Sequence, residues 1–465
     1  MGGTVSRGWQ GEAGPVAVSV VRLDEPLATL RRAIDLCGGW DGLGPGNRVF
    51  IKPNICLPRW MPLYGMVTTT SVLEALVRLL SEQGCRNITI GEGPVDVFGT
   101  SIRQGYRRMG IDTLARRYGV RLVDLNRGPF RPVDLEGVKV QVAEAAFESD
   151  FLINVPALKT HNQVKVSLGF KNLKGFLSPA SRVKFHGTNR LNHLIRLLGE
   201  VVEPHLTVID GTYALESGPD TALGRAHRMD IVLAGREACS CDVVGATLLG
   251  IDPSGVGYLR EYAEARGLPL SADRIEVRGE GDLGALVRPL EWRVNVPEEL
   301  SAMGVRGLSV PYPGETLCSR CYAMLGYSLL ALARDNRGAD FGNSVICCGR
   351  EARPGADARP GCEAPPGSAA PPGGEARAVI LFGDCAVAAN RGLEGACRVE
   401  GCPPPVTDSL MALWRTLLGR PRMLRGMPAR MARLSAAKAG IFMDRLDKWQ
   451  RYQSKEFAPG HFRAR

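Results

Sequence analysis

Cysteines are the residues best equipped for chemistry in this chain, and they are concentrated towards its C-terminus. The chain has 465 residues and 13 cysteines, of which eight lie between Cys318 and Cys402. An odd number of cysteines, in a chain whose N-terminus has no apolar secretion signal, favours metal ligation or reactive thiols over a disulfide framework. The sequence therefore predicts that its cysteine chemistry lies in the C-terminal third.

Four short segments carry most of these cysteines. They are Cys318-Ser319-Arg320-Cys321, Cys347-Cys348, Gly383-Asp384-Cys385-Ala386 and Gly401-Cys402-Pro403-Pro404. A Cys-x-x-Cys pair places two thiolates close enough to share one metal centre, and thiolates are the ligands of iron–sulfur clusters. We expect Cys385 to lie in a turn at a strand end, and the prolines to stiffen the loop after Cys402. Buried free thiols and a structural zinc site are the alternatives.

The order of these motifs resembles the cluster-binding pattern in the small subunit of nickel–iron hydrogenases and in the related cluster subunit of respiratory complex I. The resemblance implies a [4Fe–4S] cluster with four thiolate ligands, namely Cys318, Cys321, Cys385 and Cys402. The spacing between the last two is shorter than in that family, and Cys347, Cys348 and Cys397 compete for a ligand position.

Short β-branched runs alternate with amphipathic stretches over residues 16–280. The predicted strands are Val16–Val21, Arg48–Lys52, Ile88–Ile90, Arg121–Asp124, Phe151–Val155, Thr207–Ile209, Ile231–Leu233 and Arg274–Val277. The predicted helices include Pro26–Cys37, Ser71–Gln83, Leu191–Val201 and Ala238–Leu249. This alternation predicts an α/β fold with a mostly parallel sheet flanked by helices, together with a smaller C-terminal α/β iron–sulfur module and a basic helical tail.

Polar side chains follow several of the predicted strands, where parallel sheets bind their ligands. We expect His161, Lys159 and Lys171 to be catalytic. We expect the substrate to contact Lys52, Asn54, Thr160, Asn172, Lys174 and Asp210. So many ammonium and amide hydrogen-bond donors close together suit a phosphate or carboxylate group. The sequence therefore predicts a small anionic substrate or cofactor. The alternative is a solvated basic loop.

Proton transfer and cation binding are further expectations for this region. His161 is the first candidate for an acid or base because an unperturbed histidine titrates near neutrality, and His186 is the second. Asp210, Glu216 and Glu92 each stand at a predicted strand end, so a carboxylate pair or a hard-cation site is an alternative use of this edge.

Several motifs together resemble the family called domain of unknown function 362, over about residues 16–280. They are Ile51-Lys52-Pro53-Asn54, Gly91-Glu92-Gly93-Pro94, Asn154-Val155-Pro156, Lys159-Thr160-His161, Gly169-Phe170-Lys171-Asn172-Leu173-Lys174-Gly175 and Ile209-Asp210-Gly211. The resemblance implies the α/β fold and no particular reaction. A weaker similarity to nickel-dependent lactate racemase, carried by His161, Gly169, Lys171 and Lys174, implies that a cofactor could occupy the anion site.

The chain is predicted to have three parts, namely an α/β domain over 16–285, a cysteine-rich module over 300–418 with a disordered insertion at 349–376, and a basic tail over 419–465. Residues 420–465 carry 12 Lys or Arg against 3 Asp or Glu, so this tail holds most of the net charge of +10. It suits contact with a membrane surface or an acidic partner, and sequence-specific nucleic-acid binding is not expected. A solvated helix is the alternative.

With no run of 18 apolar residues, a cytoplasmic location is expected.

Three functional hypotheses follow. The first is an iron–sulfur redox enzyme or electron-transfer protein, with an electron-transfer protein as partner, that delivers electrons to an anionic substrate or cofactor. The second is a non-redox enzyme, racemase-like or lyase-like, in which the cluster is structural or acts as a Lewis acid. The third is an interaction protein that uses the cluster and tail for assembly.

Overall fold

A computed structural model describes residues 17–56, 63–94, 101–188, 190–219, 223–294, 296–354, 378–418 and 456–464. The chain divides into two compact units. The first lies within Met1–Trp292 and Gln453–Arg465, and the second within Arg293–Tyr452. The polar residues predicted at strand ends belong to the first unit, and the four cysteine motifs belong to the second.

The first unit is built on one large, mostly parallel sheet. Its strands are β1 (Ala17–Arg22), β2 (Arg48–Pro53), β3 (Asn87–Glu92), β4 (Arg121–Asp124), β5 (Phe130–Leu135), β6 (Val138–Ala143), β7 (Phe151–Val155), β8 (Ala157–His161), β9 (Lys165–Val166), β10 (Leu206–Glu216), β11 (Arg225–Gly235) and β12 (Glu276–Gly279). The sheet order is β12-β1-β11-β10-β7-β2-β3-β4, with β8 beside β10 and β9 beside β8, and β5 and β6 pair separately. Strand β7 is buried along its whole length, as expected for a parallel sheet covered on both faces. The predicted α/β fold class is confirmed.

Helices flank this sheet. They are α1 (Pro26–Leu36), α2 (Thr70–Glu82), α3 (Ile102–Arg108), α4 (Ile111–Tyr118), α5 (Ala145–Glu148), α6 (Gly169–Asn172), α7 (Pro179–Gly187), α8 (Leu191–Val201), α9 (Ala238–Leu248) and α10 (Gly257–Arg266). Helix α8 shows why such segments are recognisable, because it buries Leu191, Leu194, Ile195 and Leu198 at spacings of three and four residues. The sequence predicted its bounds without error.

The central strands extend further than the sequence predicts. Strand β10 continues seven residues past Ile209, and its antiparallel partner β11 begins before Ile231. The register of this pair shifts between Gly211 and Tyr213, which marks a bulge. Asp210 can occupy a buried strand because four hydrogen bonds satisfy its carboxylate. A charged residue therefore does not mark the strand end here.

The motif Lys159-Thr160-His161 also lies in a strand, whereas the sequence predicts a loop beyond a strand. Residues Ala157–His161 form β8, which follows β7 after the single residue Pro156. Strand β8 pairs with β10 in parallel and with β9 in antiparallel orientation. All five of its residues are buried, so these polar side chains lie inside the unit.

The second unit has a smaller sheet of parallel strands. Its strands are β13 (Arg306–Ser309), β14 (Asp340–Cys348), β15 (Val379–Phe382) and β16 (Cys397–Val399), and its helices are α11 (Val296–Ala302), α12 (Ser319–Asp335), α13 (Asp384–Ala389) and α14 (Val406–Leu418). The strands are ordered β13-β14-β15-β16, and each neighbouring pair is parallel. Their carboxyl ends therefore share one edge of the sheet.

Some sequence predictions fall outside the described residues. These are most of the predicted insertion, from residue 355 onwards and including Cys362, and residues 419–455 of the predicted tail. Near the C-terminus a short 3₁₀ helix, Pro459–Phe462, is described, and Phe462 packs edge-on against Tyr64. None of the helices in the described ranges has the length and apolar character needed to cross a membrane.

Candidate functional site: a cationic cluster and a group of thiols

A buried ion pair joins the carboxyl ends of β2 and β3. Lys52 Nζ lies 2.8 Å from Glu92 Oε1 and 2.9 Å from Oε2, and the two side chains are 0% and 3% exposed. The same carboxylate accepts hydrogen bonds from the backbone N–H groups of Ile55 (3.1 Å) and Gly93 (2.8 Å). These bonds compensate the cost of burying two charges. The sequence predicts Lys52 as a ligand contact, whereas in the structure its ammonium has an internal partner.

The segment that follows β9, called here the loop although it includes the short helix α6 and a 3₁₀ turn, packs against this ion pair. A Cβ on Gly175 would overlap both Glu92 Oε1 and Lys52 Nζ, so only glycine fits there. Asn172 accepts a bond from Lys52 Nζ (3.4 Å) and donates to Asn154 Oδ1 (2.8 Å). The side chain of Asn172 therefore has partners within the protein. Through Asn172 and Gly175, the ion pair fixes the position of the segment that carries Lys171 and Lys174.

Asp242, which the sequence analysis did not identify, holds the start of that loop. Its buried carboxylate on α9 accepts bonds from the backbone N–H groups of Gly169 (2.6 Å) and Phe170 (3.0 Å). Burial raises its pKa to about 8, and the two N–H donors oppose the rise. The signal that could have revealed it is a single charged residue in an otherwise uncharged helix.

The cationic cluster is defined here as Lys159, His161, Lys171, Lys174 and His186, because the charges of the other four all act on the ring of His161. Burial lowers the pKa of His161 well below its ordinary value, and the charges of the other four members lower it further. His161 Nδ1 also accepts the backbone N–H of Gln163 (3.1 Å). The ring is therefore neutral at pH 7 and carries its proton on Nε2, which leaves it a hydrogen-bond donor.

Lys171 is the member best placed to receive a ligand. It is partly exposed, and within the described ranges its ammonium has no hydrogen bond or ion pair. Burial and the charge of Lys159 lower its pKa to about 8, while Cys56 opposes the shift. Lys174 Nζ lies 3.1 Å from His186 Nε2. The sequence prediction that His161, Lys159, Lys171 and Lys174 come together agrees with this arrangement.

Thr160 and Asp210, predicted as ligand contacts, have internal partners. Thr160 Oγ1 donates to Leu215 O (2.9 Å) and accepts from Gly218 N (3.0 Å). Asp210 accepts two bonds from Thr69, through N (2.6 Å) and Oγ1 (2.8 Å), and two from Thr212. Asp210 thus fixes the start of α2. The carboxylate oxygens of Asp210 are therefore occupied by these donors. Those of Glu216 are likewise occupied, by the ring of His227 and the backbone N–H of Glu291.

Asn54 is placed at the end of β2, as the sequence predicts. Its backbone N–H donates to Val155 O (3.1 Å) and to Thr68 Oγ1 (2.8 Å), which fixes its position beside β7. Its side-chain Oδ1 is buried and accepts no hydrogen bond from the described residues. A buried amide oxygen is costly to leave without a donor, so Asn54 remains a candidate for contact with a ligand.

In the second unit, five cysteine thiols form a group, here called the thiol group. Cys318 precedes α12, Cys321 lies in its first turn, Cys385 lies in the first turn of α13, Cys348 ends β14, and Cys402 follows β16. A hydrogen bond with Cys318 raises the pKa of Cys321, and burial and the charges of Cys318, Cys348 and Cys402 raise it further.

Further observations show that these thiols lie close together. Burial raises the pKa of Cys348, as do the charges of Cys318 and Cys385, and the same three causes raise the pKa of Cys402. A Cβ on Gly383 would lie 3.1 Å from Cys321 Sγ, so this glycine lets α13 approach α12 closely. The expected turn at Cys385 is instead the start of a helix. In the described ranges, no three His, Cys, Asp or Glu side chains are arranged to hold a single metal ion.

Strand geometry separates the competing cysteines. Neighbouring residues of a strand point to opposite faces, and Cys347 packs in an apolar cluster with Ala352 and Leu381, whereas Cys348 faces the thiol group. Cys397 pairs with Ile380, two residues before the end of β15, and accepts a hydrogen bond from Thr416 Oγ1 (3.2 Å). Cys348, which the sequence gives as a competitor for a ligand position and not as one of the four predicted ligands, is the fifth member of the group.

Comparison with known proteins supports one of the resemblances. The sequence profile described as domain of unknown function (DUF362) matches residues 49–247. The thylakoid-associated protein sll1697 of Synechocystis sp. is 26% identical over 236 residues, which are 50% of this chain and 72% of that protein. The lactate racemase apoprotein of Thermoanaerobacterium thermosaccharolyticum aligns with a TM-score of 0.32 at 12% identity, over 72% of this chain and 69% of the other. The similarity to the DUF362 family thus covers the segment that carries the cationic cluster.

Replacing Lys52 by methionine tests the buried ion pair. The Lys52→Met chain keeps the volume but leaves Glu92 buried without its cation, so the free energy of unfolding should fall by about 3–5 kcal/mol. Urea unfolding followed by circular dichroism measures this loss. Lys184→Met is the matched control, because Lys184 bonds a carbonyl at the surface, and it should change stability by less than about 0.5 kcal/mol. Equal stability of both variants would contradict the role given to the pair.

Proposed function

We propose that this protein is an iron–sulfur protein that binds a small phosphate- or carboxylate-bearing molecule at the cationic cluster of its first unit and a [4Fe–4S] cluster at the thiol group of its second. The observation that carries the first half is Lys171, a half-buried lysine whose ammonium has no hydrogen bond or ion pair in the described residues. Even partial burial of an unpaired charge is costly. A bound anion would supply the missing partner.

The charges around Lys171 favour an anion over a cation. The groups that act on it are another lysine and Cys56, and the groups that act on the nearby His161 are all cationic. Even with Cys56 as a thiolate, Lys159 and Lys171 together leave a net positive charge. His161 adds a neutral Nε2–H donor. Ammonium groups and a ring N–H donate to oxyanions, so phosphate or carboxylate is the complementary chemistry.

The thiol group suits an iron–sulfur cluster by its donor set. Four thiolates are what such clusters use, and the predicted ligands, Cys318, Cys321, Cys385 and Cys402, all belong to the group. A single zinc ion draws its sulfurs to about 2.3 Å, whereas four irons hold them around a larger inorganic core. Cys348, buried beside the four predicted ligands, would shield one side of the cluster from water.

When bound, a [4Fe–4S] cluster supplies one-electron transfer, and this makes a redox reaction on the anionic molecule the first candidate. The chain's own residues would hold and orient that molecule, with Lys171 on its oxyanion and the Nε2–H of His161 on a second oxygen. An electron-transfer protein as partner, and contact of the basic tail with a membrane surface or an acidic protein, remain parts of this proposal.

A non-redox reaction is the second candidate, and Lys171 is the reason. A lysine whose pKa lies at about 8 exchanges protons near neutral pH and can act as a general acid or base. A racemase-like or lyase-like proton transfer next to a carboxylate would use it in that way. Retention of activity by a chain that has lost its cluster would favour this reading over the redox reading.

The cluster is tested by anaerobic purification with iron and sulfide analysis and electron paramagnetic resonance. About four iron and four sulfide per chain are expected, with loss of both in Cys318→Ala and Cys385→Ala because each removes a ligand. Cys397→Ala and Cys347→Ala are matched controls that should keep the cluster. Zinc in stoichiometric amount without sulfide, or full cluster content in the first two variants, would overturn the proposal.

The anion site is tested by calorimetric titration with sulfate, whose charge is constant between pH 6 and 9. Lys171 is charged below its pKa of about 8, so affinity should be highest at low pH and fall as pH rises through 8. Lys171→Met should weaken sulfate binding at pH 7 about tenfold or more. Lys171→Arg should keep the sulfate affinity from falling above pH 8, because arginine stays charged there. Lys184→Met is the control. Equal affinity in Lys171→Met and wild type would refute the site.

A further inference from the structure

A second unusual feature lies beside Lys171, where Lys159 contacts a cysteine. Lys159 is 2% exposed, and its ammonium donates to Met66 O (2.8 Å), Pro219 O (3.4 Å) and Cys56 Sγ (3.7 Å). An ammonium group has three N–H donors, so this set uses all of them. Two of the three acceptors are neutral carbonyls. The sulfur is the acceptor that can carry charge.

The sulfur of Cys56 is the group beside Lys159 that can balance the charge of its ammonium. As a neutral thiol, Cys56 would instead donate to Met66 O (3.5 Å). Among the residues that the structure describes, no carboxylate lies within ion-pair distance of Lys159. A buried cation needs a compensating anion, and the thiol of Cys56 is the acidic group within reach. Lys171 adds to this effect, because a charged Cys56 raises the pKa of Lys171. Two ammonium groups therefore favour the thiolate form of one cysteine.

The position of Cys56 suits reaction with a bound molecule. It follows β2 by three residues and is partly exposed, at the edge of the sheet where the cationic cluster lies. The other cysteines of the first unit contrast with it. Burial raises the pKa of Cys37 to about 11, raises that of Cys85, and raises the pKa of Cys239 and Cys241 well above the ordinary value. Those four are buried thiols, whereas Cys56 is partly exposed and has cations beside it.

We propose that Cys56 is a nucleophilic thiolate, held in that form by Lys159, that adds to the carbonyl carbon of a carboxylate- or phosphate-bearing aldehyde or ketone. The sulfur electron pair forms the S–C bond, the C=O π pair moves onto oxygen, and the resulting alkoxide takes a proton from water, which gives a hemithioacetal. Lys171 binds the anionic group of the same molecule. The choice of anionic reactant rests on the proposed function, whereas the thiolate itself does not.

Alkylation by neutral iodoacetamide, read for each cysteine by peptide mass spectrometry of the full chain, tests the thiolate. The rate at Cys56 should rise with a midpoint at least one pH unit below the value of about 8.5 for an ordinary thiol. Lys159→Met should lower the rate at pH 7 about tenfold, and Lys184→Met should leave it unchanged. Circular dichroism checks that Lys159→Met folds, and Lys171→Met provides a second variant if it does not. An ordinary midpoint at Cys56 would overturn the inference.

Iodoacetate, the anionic counterpart of iodoacetamide, tests the reactant class separately. Relative to N-acetylcysteine in solution, Cys56 should prefer iodoacetate over iodoacetamide by about tenfold, and Lys171→Met should remove the preference. If the alkylation midpoint of Cys56 is low but iodoacetate is not preferred, the thiolate is upheld and the anion site is overturned. Failure of the thiolate and failure of the anion site therefore give different results.

The carbonyl addition is tested by protection against iodoacetamide. Glyoxylate and acetate carry the same charge, but only glyoxylate has an aldehyde carbon for the sulfur to attack. Glyoxylate should slow the labelling of Cys56 more strongly than acetate at equal concentration, and the labelling should recover after dilution because hemithioacetals form reversibly. Equal protection by the two acids would overturn the addition step.

Discussion

The ion pair between Lys52 and Glu92 determines the geometry around the cationic cluster. Neither charge can reach water, so each is stable in this position only while the other is present, and removing one leaves a cost of several kcal/mol. The pair lies where β2 and β3 end, and Gly175 and Asn172 pack directly on it. The segment with Lys171 and Lys174 is therefore fixed at both ends, by the ion pair at one and by Asp242 at the other.

This arrangement explains how so many cations can lie together. Lys52 is neutralised by Glu92 and adds little to the local field, whereas Lys159, Lys171 and Lys174 act together on His161 and keep it neutral. The buried carboxylates of Glu92, Asp210 and Asp242 hold neighbouring groups in place, and among the described residues Lys171 has no hydrogen bond or ion pair. We propose that an oxyanion binds beside Lys171 and balances its charge. In the second unit, burial and the neighbouring cysteines raise the pKa of Cys321, Cys348 and Cys402, so these thiols keep their protons. Under the proposed function, the positive charge of a bound cluster would favour the thiolate form of its ligands.

Much of this could be predicted from sequence, because periodicity and strand-end position are local properties. Helix α8 and strands β4 and β7 have the predicted bounds, and the polar residues that follow β2 and β7 do meet. Which of them would face a ligand was not a local property. Lys52, Thr160 and Asp210 each find a partner that is distant in sequence, in Glu92, Leu215 and Thr69. The same limit hid Asp242, whose role depends on the packing of α9 against the start of α6. It also left Cys347 and Cys348 as equal competitors, because only the face of the strand distinguishes their side chains.

The most direct test of the anion site is an anomalous difference map from crystals of the full chain soaked in selenate, a heavier analogue of sulfate. The geometry described above predicts a selenium peak whose oxygens lie within hydrogen-bond distance of Lys171 Nζ and His161 Nε2, with the Lys52–Glu92 pair unchanged beneath it. A map that places selenate only at surface arginines, with Lys171 still lacking a partner, would contradict the claim that this cluster was assembled to hold an anion.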